Sequence, residues 1–494
     1  MPANSNKQKY SHVAVTRCGD DLTQSVRETL EHIGGIAKFV KPGDNVFIKP
    51  NLTAGMPASS GGTTDVLFAE AVVRLVKEAA PSRVTVGECS GNESRSIESL
   101  TNLGYADMCA RQGVEMADLD KAEFADYPLP GAYHRETVRL PRCVVESDVF
   151  ISLPALKTHI SVGITVTIKN SFGLLTDTGK TAAHRDSAVE EAIADIARVR
   201  APDLTVVDGR IGAEGVAGGV DFEHPIKAGI VIASADPVAV DAVAARVMGQ
   251  NPRVRHIRLA AEAGVGNDNM DYIILHGLTI EEAYTRFMTP GEQIMADSGG
   301  KVRPFDLSAC SKCRATGEGG LWRYSLNPNS LLRPIDVVMG PGEWDAPADP
   351  AGCTVLAGDC IREEYRDKGT WISGCPASPS AYNAAVAAEG VTCSKCAVAV
   401  KELLDKYGPD TLSAIRVVAS GREVFRGSNN SAGLEDYVLG VGRCQDFYCY
   451  NHGRRIHKYH DDAAQNYLTQ VKGCPPDPVE VKSALDAMVE RAKK

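Results

Sequence analysis

One cysteine order occurs twice in the C-terminal part of the chain, and it restricts the fold of that part more than any other feature. The first copy runs Cys310-Ser-Lys-Cys313, Gly358-Asp-Cys360 and Gly374-Cys375-Pro376; the second runs Cys393-Ser-Lys-Cys396, Gly442-Arg-Cys444 and Gly473-Cys474-Pro475. From the second to the third cysteine the interval is 47 residues in one copy and 48 in the other. Each copy has a short apolar strand between these marks, Ile335–Met339 or Ile415–Ala419, and a helical stretch after its last cysteine, 381–388 or 479–489. Chance does not produce that order twice, so the region reads as an internal duplication of one small α/β unit.

The chain has 14 cysteines, ten of them between Cys310 and Cys474. Its first residues are polar and lack the apolar core of a secretory signal. No stretch approaches the roughly 18 apolar residues of a membrane span. A cytoplasmic, reducing setting is expected, where clustered cysteines are metal ligands or reactive thiols more often than disulfides. A 4Fe–4S cube takes four thiolates. A Cys-x-x-Cys turn supplies two, and Gly-x-Cys and Gly-Cys-Pro supply one each, the glycines letting the backbone approach inorganic sulfide. The sequence thus assigns one cluster to Cys310, Cys313, Cys360 and Cys375, and a second to Cys393, Cys396, Cys444 and Cys474. Structural zinc is the competing reading, although zinc ribbons favour two Cys-x-x-Cys pairs and each copy has one. Cys353 reads as a small buried residue. Cys449 reads as a substitute for Cys444 or as a reactive thiol beside the cluster, and His452, His457 and His460 in the same basic, aromatic segment read as solvated surface or as a partner-docking patch.

Residues 10–290 have a different rhythm. Apolar runs at 12–16, 45–48, 83–87, 144–153, 203–207 and 229–233 alternate with amphipathic stretches such as 22–33 and 67–79. Such alternation predicts an α/β domain on a largely parallel sheet. The expected organisation is a parallel-sheet domain at 1–304, with 291–304 as a linker, followed by two smaller repeated α/β cluster-binding modules at 305–388 and 389–494. The net charge of −10 argues against general nucleic-acid binding.

Polar residues gather where these runs end: Lys49-Pro-Asn51, Glu88, Lys157-Thr-His159, Asp208 and Asp236. In an open parallel sheet the carboxyl ends of the strands form the ligand crevice, so one shared site is expected. Lys49, Lys157, His159, Lys169 and Arg185 would meet an anion, while Glu88, Asp208, Asp236 and Asp241 would orient these bases or hold a metal. Asn51, Asn170 and His184 complete the substrate-binding set. Lys169 follows a β-branched run, 165–168, read as one more strand, and His184 lies in a polar loop. For each residue taken alone the plain alternative is surface charge or a helix cap. No Walker-type motif is present, and the glycines at 212–219 lack dinucleotide spacing.

Taken in order, Phe47-Ile-Lys-Pro-Asn51, Thr63-Thr-Asp65, Val86-Gly-Glu88, Gly104-Tyr105, Leu153-Pro-Ala-Leu-Lys-Thr-His159, Thr167-Ile-Lys-Asn170, Phe172-Gly173, Val207-Asp-Gly209 and Ser234-Ala-Asp-Pro-Val-Ala-Val-Asp241 resemble the "domain of unknown function 362" family. The likeness covers roughly residues 10–280. That family is commonly joined to ferredoxin-type cluster segments and is frequent in anaerobes, so the resemblance implies redox work without naming a substrate. The leading expectation is an iron–sulfur oxidoreductase that passes electrons between two 4Fe–4S clusters and a small anionic substrate. Lys49 and Lys157 would hold the anion and His159 would act as general acid or base near neutrality. The alternatives are a non-catalytic electron carrier or activator docking on a larger redox partner protein, and a metal-cofactor assembly protein. No membrane or nucleic-acid partner is expected, and homo-oligomerisation is left open.

Overall fold

The computed structural model describes residues 10–89, 95–217, 224–325, 331–344, 352–388, 415–419, 422–426, 437–441, 468–471 and 477–492. The chain divides into two units after Pro290. In the first, the apolar runs become β1 (Ser11–Arg17), β2 (Asn45–Pro50), β3 (Arg83–Glu88), β4 (Glu115–Asp118), β5 (Phe124–Pro128), β6 (Thr137–Pro141), β7 (Val149–Leu153), β8 (Ala155–His159), β9 (Gly163–Thr165), β10 (Leu204–Ala213), β11 (Pro225–Ser234) and β12 (Ile273–Gly277). Ten of these form one sheet in the order β12-β1-β11-β10-β7-β2-β3-β4, with β8 beside β10 and β9 beside β8; β5 and β6 make a separate hairpin.

The strands read as near-continuous apolar runs because both faces of the sheet are covered. Alternate residues feed opposite cores. Val13, Val15, Phe47, Val207, Ile230 and Ile232 belong to one, packed by the helices Val189–Val199 and Pro237–Val247. Ala14, Val46, Ile48, Val206, Val231 and Ala233 belong to the other, under the helices Leu22–Glu31 and Val66–Glu78. The expected mixed α/β domain with a largely parallel sheet is therefore present.

Strand directions decide which residues share an edge. Along the path all strands run one way except β11, which is antiparallel to both β1 and β10. β7 breaks at Pro154 and resumes as β8, where Asp208 of β10 pairs with Ala155 and Ala213 with Lys157. β9 folds back so that Lys157 faces Thr165.

Local differences from the sequence expectation have identifiable causes. The 144–153 run is split, because Arg142–Val145 forms a helical turn before β7 starts at Val149. The 165–168 run is not a strand. Asp241 accepts hydrogen bonds from the backbone N–H groups of Thr167 (2.7 Å) and Ile168 (3.1 Å), and so starts the helical turn Thr167–Asn170 that carries Lys169. His184 sits in the helix Asp177–Arg185 rather than a loop, with the Thr176 hydroxyl capping its start. Residues 291–304 are not a linker. They contain the helix Pro290–Asp297 and the beginning of the next strand, and the two glycines at 299–300 only turn between them.

In the second unit, β13 (Val302–Asp306), β14 (Ile335–Met339), β15 (Cys353–Ala357) and β16 (Thr370–Ile372) form a parallel sheet in that order. Pro304 is tolerated because β13 is an edge strand. A further sheet joins β17 (Ile415–Ala419), β18 (Arg422–Arg426), β19 (Tyr437–Val441) and β20 (Leu468–Val471) in the order β18-β17-β19-β20. Both sheets contain three consecutive parallel strands, β14-β15-β16 and β17-β19-β20, each trio followed by a helix, Pro379–Ala388 or Pro478–Ala492. They differ at the edge next to the first of the three, which is parallel in one and antiparallel in the other. Among the described residues no helix is long and apolar enough to cross a membrane.

Candidate functional site

The carboxyl edge of the large sheet gathers most of the polar residues singled out in the sequence. Lys49, at the end of β2, is 1% exposed. Its ammonium donates to Glu88 Oε2 at 2.5 Å, Asn170 Oδ1 at 3.1 Å and the Pro50 carbonyl at 3.2 Å. Asn170 is fixed in turn by donating to Ser152 Oγ at 3.0 Å. Burial pushes the Glu88 carboxyl up, against the pull of Lys49 and Lys180. Gly173 allows a close approach here, since a Cβ at that position would lie 3.0 Å from Lys49 Nζ and 3.2 Å from the Cys89 carbonyl.

Lys157 lies inside β8 and is 3% exposed. It donates to the Gly62 carbonyl at 2.9 Å and, at longer range, to Thr53 Oγ1 (3.3 Å) and Asn51 Oδ1 (3.4 Å). Asn51 is itself pinned to the Gly62 carbonyl at 2.7 Å. Burial, then the charges of Lys169 and Lys49, bring the Lys157 amine down to about 7; Glu88 opposes this without offsetting it. His159 is buried two residues on. Its Nδ1 accepts the Ser161 backbone N–H at 3.0 Å, so the neutral ring carries its proton on Nε2. Burial first, then Lys169 and Lys157, hold this imidazole well below its ordinary value. It is therefore neutral at pH 7, a hydrogen-bond donor rather than the near-neutral acid–base group expected. Lys169 is half-buried over the Phe172 ring, 4.6 Å from its centroid, and exposed His184 meets the same ring edge-on at 5.9 Å.

Two acids have other work. Asp208 is buried but accepts from Arg210 Nε and Nη2, both at 2.9 Å, and from the Asp65 backbone N–H at 3.0 Å. Asp236 lies at the opposite edge of the sheet. β11 runs against its neighbours, so its last residue, Ser234, pairs with Val13 and Thr205 near the starts of β1 and β10. There Asp236 caps the helix Pro237–Val247 through the N–H groups of Val238 and Ala239 and accepts from Ser11 Oγ. It borders a cavity of about 320 Å³ with Ser11, His12, Lys38 and Asn267. Arg185 is exposed and pairs with Asp186.

The carboxyl edge also contains a pair that the sequence reading missed. Lys180, 5% exposed, donates to Cys89 Sγ at 3.0 Å and lies 3.6 Å from Asp177. Cys89 directly follows Glu88, and burial pushes its thiol up to about 11 despite Lys180.

The first cysteine module uses the same edge logic. Cys310 precedes and Cys313 opens the helix Ser311–Ser325 after β13, Cys360 follows β15, and Cys375 follows β16. Gly358, at φ +108°, leaves a space in which a Cβ would lie 3.6 Å from both Cys313 Sγ and Cys360 Sγ. The loops of Cys360 and Cys375 are tied together, since the Gly374 N–H donates to Asp359 Oδ1 at 2.8 Å. The Cys310 thiol, burial, and the nearby Cys360 and Cys375 all push the Cys313 thiol upward. Thiolates packed this way repel one another, and a bound metal centre reverses that preference. Cys310, Cys360 and Cys375 are exposed and Cys313 is buried. Among the described residues no three His, Cys, Asp or Glu side chains are grouped as they would be around one metal ion. The donor set and glycine cradle suit a cluster. Cys353 is buried in β15, as expected. Cys393, Cys396, Cys444 and Cys474, together with Cys449 and its histidines, lie outside the described residues.

Residues 46–246 match a family model described as "Domain of unknown function (DUF362)". The match includes the lysine cluster and ends before the cysteine modules. The "Thylakoid-associated protein sll1697" of Synechocystis sp. is 30% identical over 241 residues, 47% of this chain and 71% of that protein. Among solved structures, the lactate racemase apoprotein from Thermoanaerobacterium thermosaccharolyticum aligns with a TM-score of 0.32 and 11% identity over 51% of this chain and 56% of that one. A protein from Thermotoga maritima aligns with a TM-score of 0.31 and 11% identity over 72% and 92% of the two chains.

Proposed function

Because this chain belongs to the family described as a domain of unknown function (DUF362), and the family match takes in the buried lysines, we propose that it is an iron–sulfur oxidoreductase acting on a small anionic substrate. The observation that carries this reading is the grouping of buried Lys157 and His159, both in β8, with half-buried Lys169, where burial first and then the charge of Lys169 lower the proton affinity of the other two. A simple electron carrier has no use for buried basic groups of this kind, whereas a bound anion favours their charged forms. Lys169 and the Nε2–H of His159 are the anion-binding groups, and Lys157 is the reactive one. Lys49, held by Glu88, positions Asn170 and the strand ends.

Cys310, Cys313, Cys360 and Cys375 are the proposed ligands of one 4Fe–4S cluster. By the repeated cysteine order and the repeated strand trio, Cys393, Cys396, Cys444 and Cys474 are those of a second. When bound, such clusters supply one-electron transfer. The buried Lys49–Glu88 pair favours the alternative of a non-catalytic carrier, activator or assembly protein, because it withdraws one cation from ligand binding.

Anaerobic purification should give about eight irons per chain, two cubes of four. The chain is then reduced and mixed with candidate anions, and reoxidation is compared between wild type and Lys157→Met. Loss of substrate-driven reoxidation with normal cluster reduction supports the enzyme. Unchanged reoxidation moves the carrier reading to first place.

A further inference from the structure

The duplication places unlike residues at matching positions beside its two cysteine sets. Four residues after the second cysteine of each copy stand Gly317 and Val400, with Thr316 and Ala399 just before them. Seven residues after the last cysteine stand Tyr382 and Val481. The first copy thus has a hydroxyl, a glycine and a phenol where the second has three apolar side chains. The glycine and the phenol belong together. A Cβ at position 317 would lie 2.9 Å from the Tyr382 hydroxyl and closer still to Met339 Sδ, so a side chain there and this phenol exclude each other. Tyr382, from the helix Pro379–Ala388, therefore sets its oxygen against the helix Ser311–Ser325 one turn beyond Cys313. Residues four apart share a helix face, so the phenol oxygen stands on the face that carries the Cys313 side chain.

Tyr382 is 3% exposed, and among the described residues its hydroxyl has no hydrogen-bond partner. Thr316 comes near without making such a bond, and gives its own proton to the Lys312 carbonyl at 3.1 Å or the Cys313 carbonyl at 3.2 Å. A phenol is protonated at neutral pH, so Tyr382 has a donor to offer. Burying a hydroxyl without a partner is costly, and the neighbours that act on this one include the Cys313 and Cys360 sulfurs. The second copy avoids the cost with Val481, 1% exposed.

We propose that Tyr382 donates a hydrogen bond to a sulfur at the Cys313 corner of the first cluster and thereby raises the reduction potential of that cluster, a donor that the second copy replaces with Val481. This rests on the cluster reading above and adds to it a difference between the two centres. Hydrogen bonds to the sulfurs help to set the potential of such a centre, because they favour the more negative, reduced form.

The test is a potentiometric titration of the full chain, purified anaerobically and followed by electron paramagnetic resonance. The wave missing from Cys375→Ser and kept in Cys474→Ser belongs to the first cluster. In Tyr382→Phe, with the iron content of wild type, that wave should move to lower potential while the other stays. At a fixed poise the ratio of reduced to oxidised centre should fall about tenfold, which is about 59 mV for one electron. An unmoved wave, or an equal movement of both, overturns the hydrogen bond and leaves the clusters standing. Where Tyr382→Phe loses iron, fluorotyrosine incorporated throughout the wild-type chain takes its place. Its more acidic phenol is a stronger donor, so the same wave should rise, and a wave that does not rise overturns the proposal. Wild type without iron removes both readings.

Discussion

The carboxyl edge of the large sheet and that of the first cysteine module are built alike and finished differently. Both collect residues from several strand ends. In the large sheet, Lys49 and Lys157 are 1% and 3% exposed and lie among buried partners. In the cysteine module, three of the four thiols are exposed and only Cys313 is covered. A group that must exchange electrons with something outside needs a short path to the surface. A group whose proton affinity has been tuned needs water kept away, because desolvation produces the shift. The two edges thus differ in burial, with lysines shielded in one and thiols at the surface in the other, as the proposed reaction site and electron-exchange surface would require.

The largest effect should come from breaking the exposed side. Cys375→Ser removes one of four thiolates and should cost about half the bound iron, the second cluster staying in place; retention of all the iron would discard the ligand assignment for this module. Next comes the buried side. Glu88→Leu strands Lys49 in the interior and should lower stability by about 3–5 kcal/mol in denaturant unfolding, while Lys49→Met with Glu88→Leu should recover most of it. Third is the pH dependence of Lys157. Its amine titrates near 7 in the folded chain against an ordinary 10.5, so between those values the unfolded chain holds more protons. Unfolding free energy should rise as pH goes from 7 to 10.5, by at most about 1.4 kcal/mol per unit from this residue, and Lys157→Met should flatten the slope. The smallest effect is that of Gly173→Ala, whose added methyl meets Lys49 Nζ; about 1–3 kcal/mol is expected, with no change in iron content.

Much of this architecture could be read from the residues because it rests on local pattern. The strands at Ile335–Met339 and Ile415–Ala419 lie where the apolar runs placed them, and Lys49, Glu88 and Lys157 do share an edge. What failed depended on direction and on distant partners. Nothing local in Pro225–Ser234 says that it runs antiparallel, and that alone carries Asp236 away from the lysines. The helical turn at Thr167–Asn170 overrides a β-branched run because Asp241, 74 residues from Thr167, caps it. The Cys89–Lys180 pair joins residues 91 apart, which no spacing rule reaches.

The reversed strand β11 has a consequence for how this domain tolerates change. It leaves polar side chains at both rims of the sheet, the lysines at one and His12, Asp236 and the cavity beside them at the other. Six residues of strand separate rims by about 20 Å at 3.3 Å per residue. Substitutions that far apart act additively. One rim can accumulate variation while the other keeps its chemistry, so the far rim is the place where members of this family can diverge at no cost to what the lysines do.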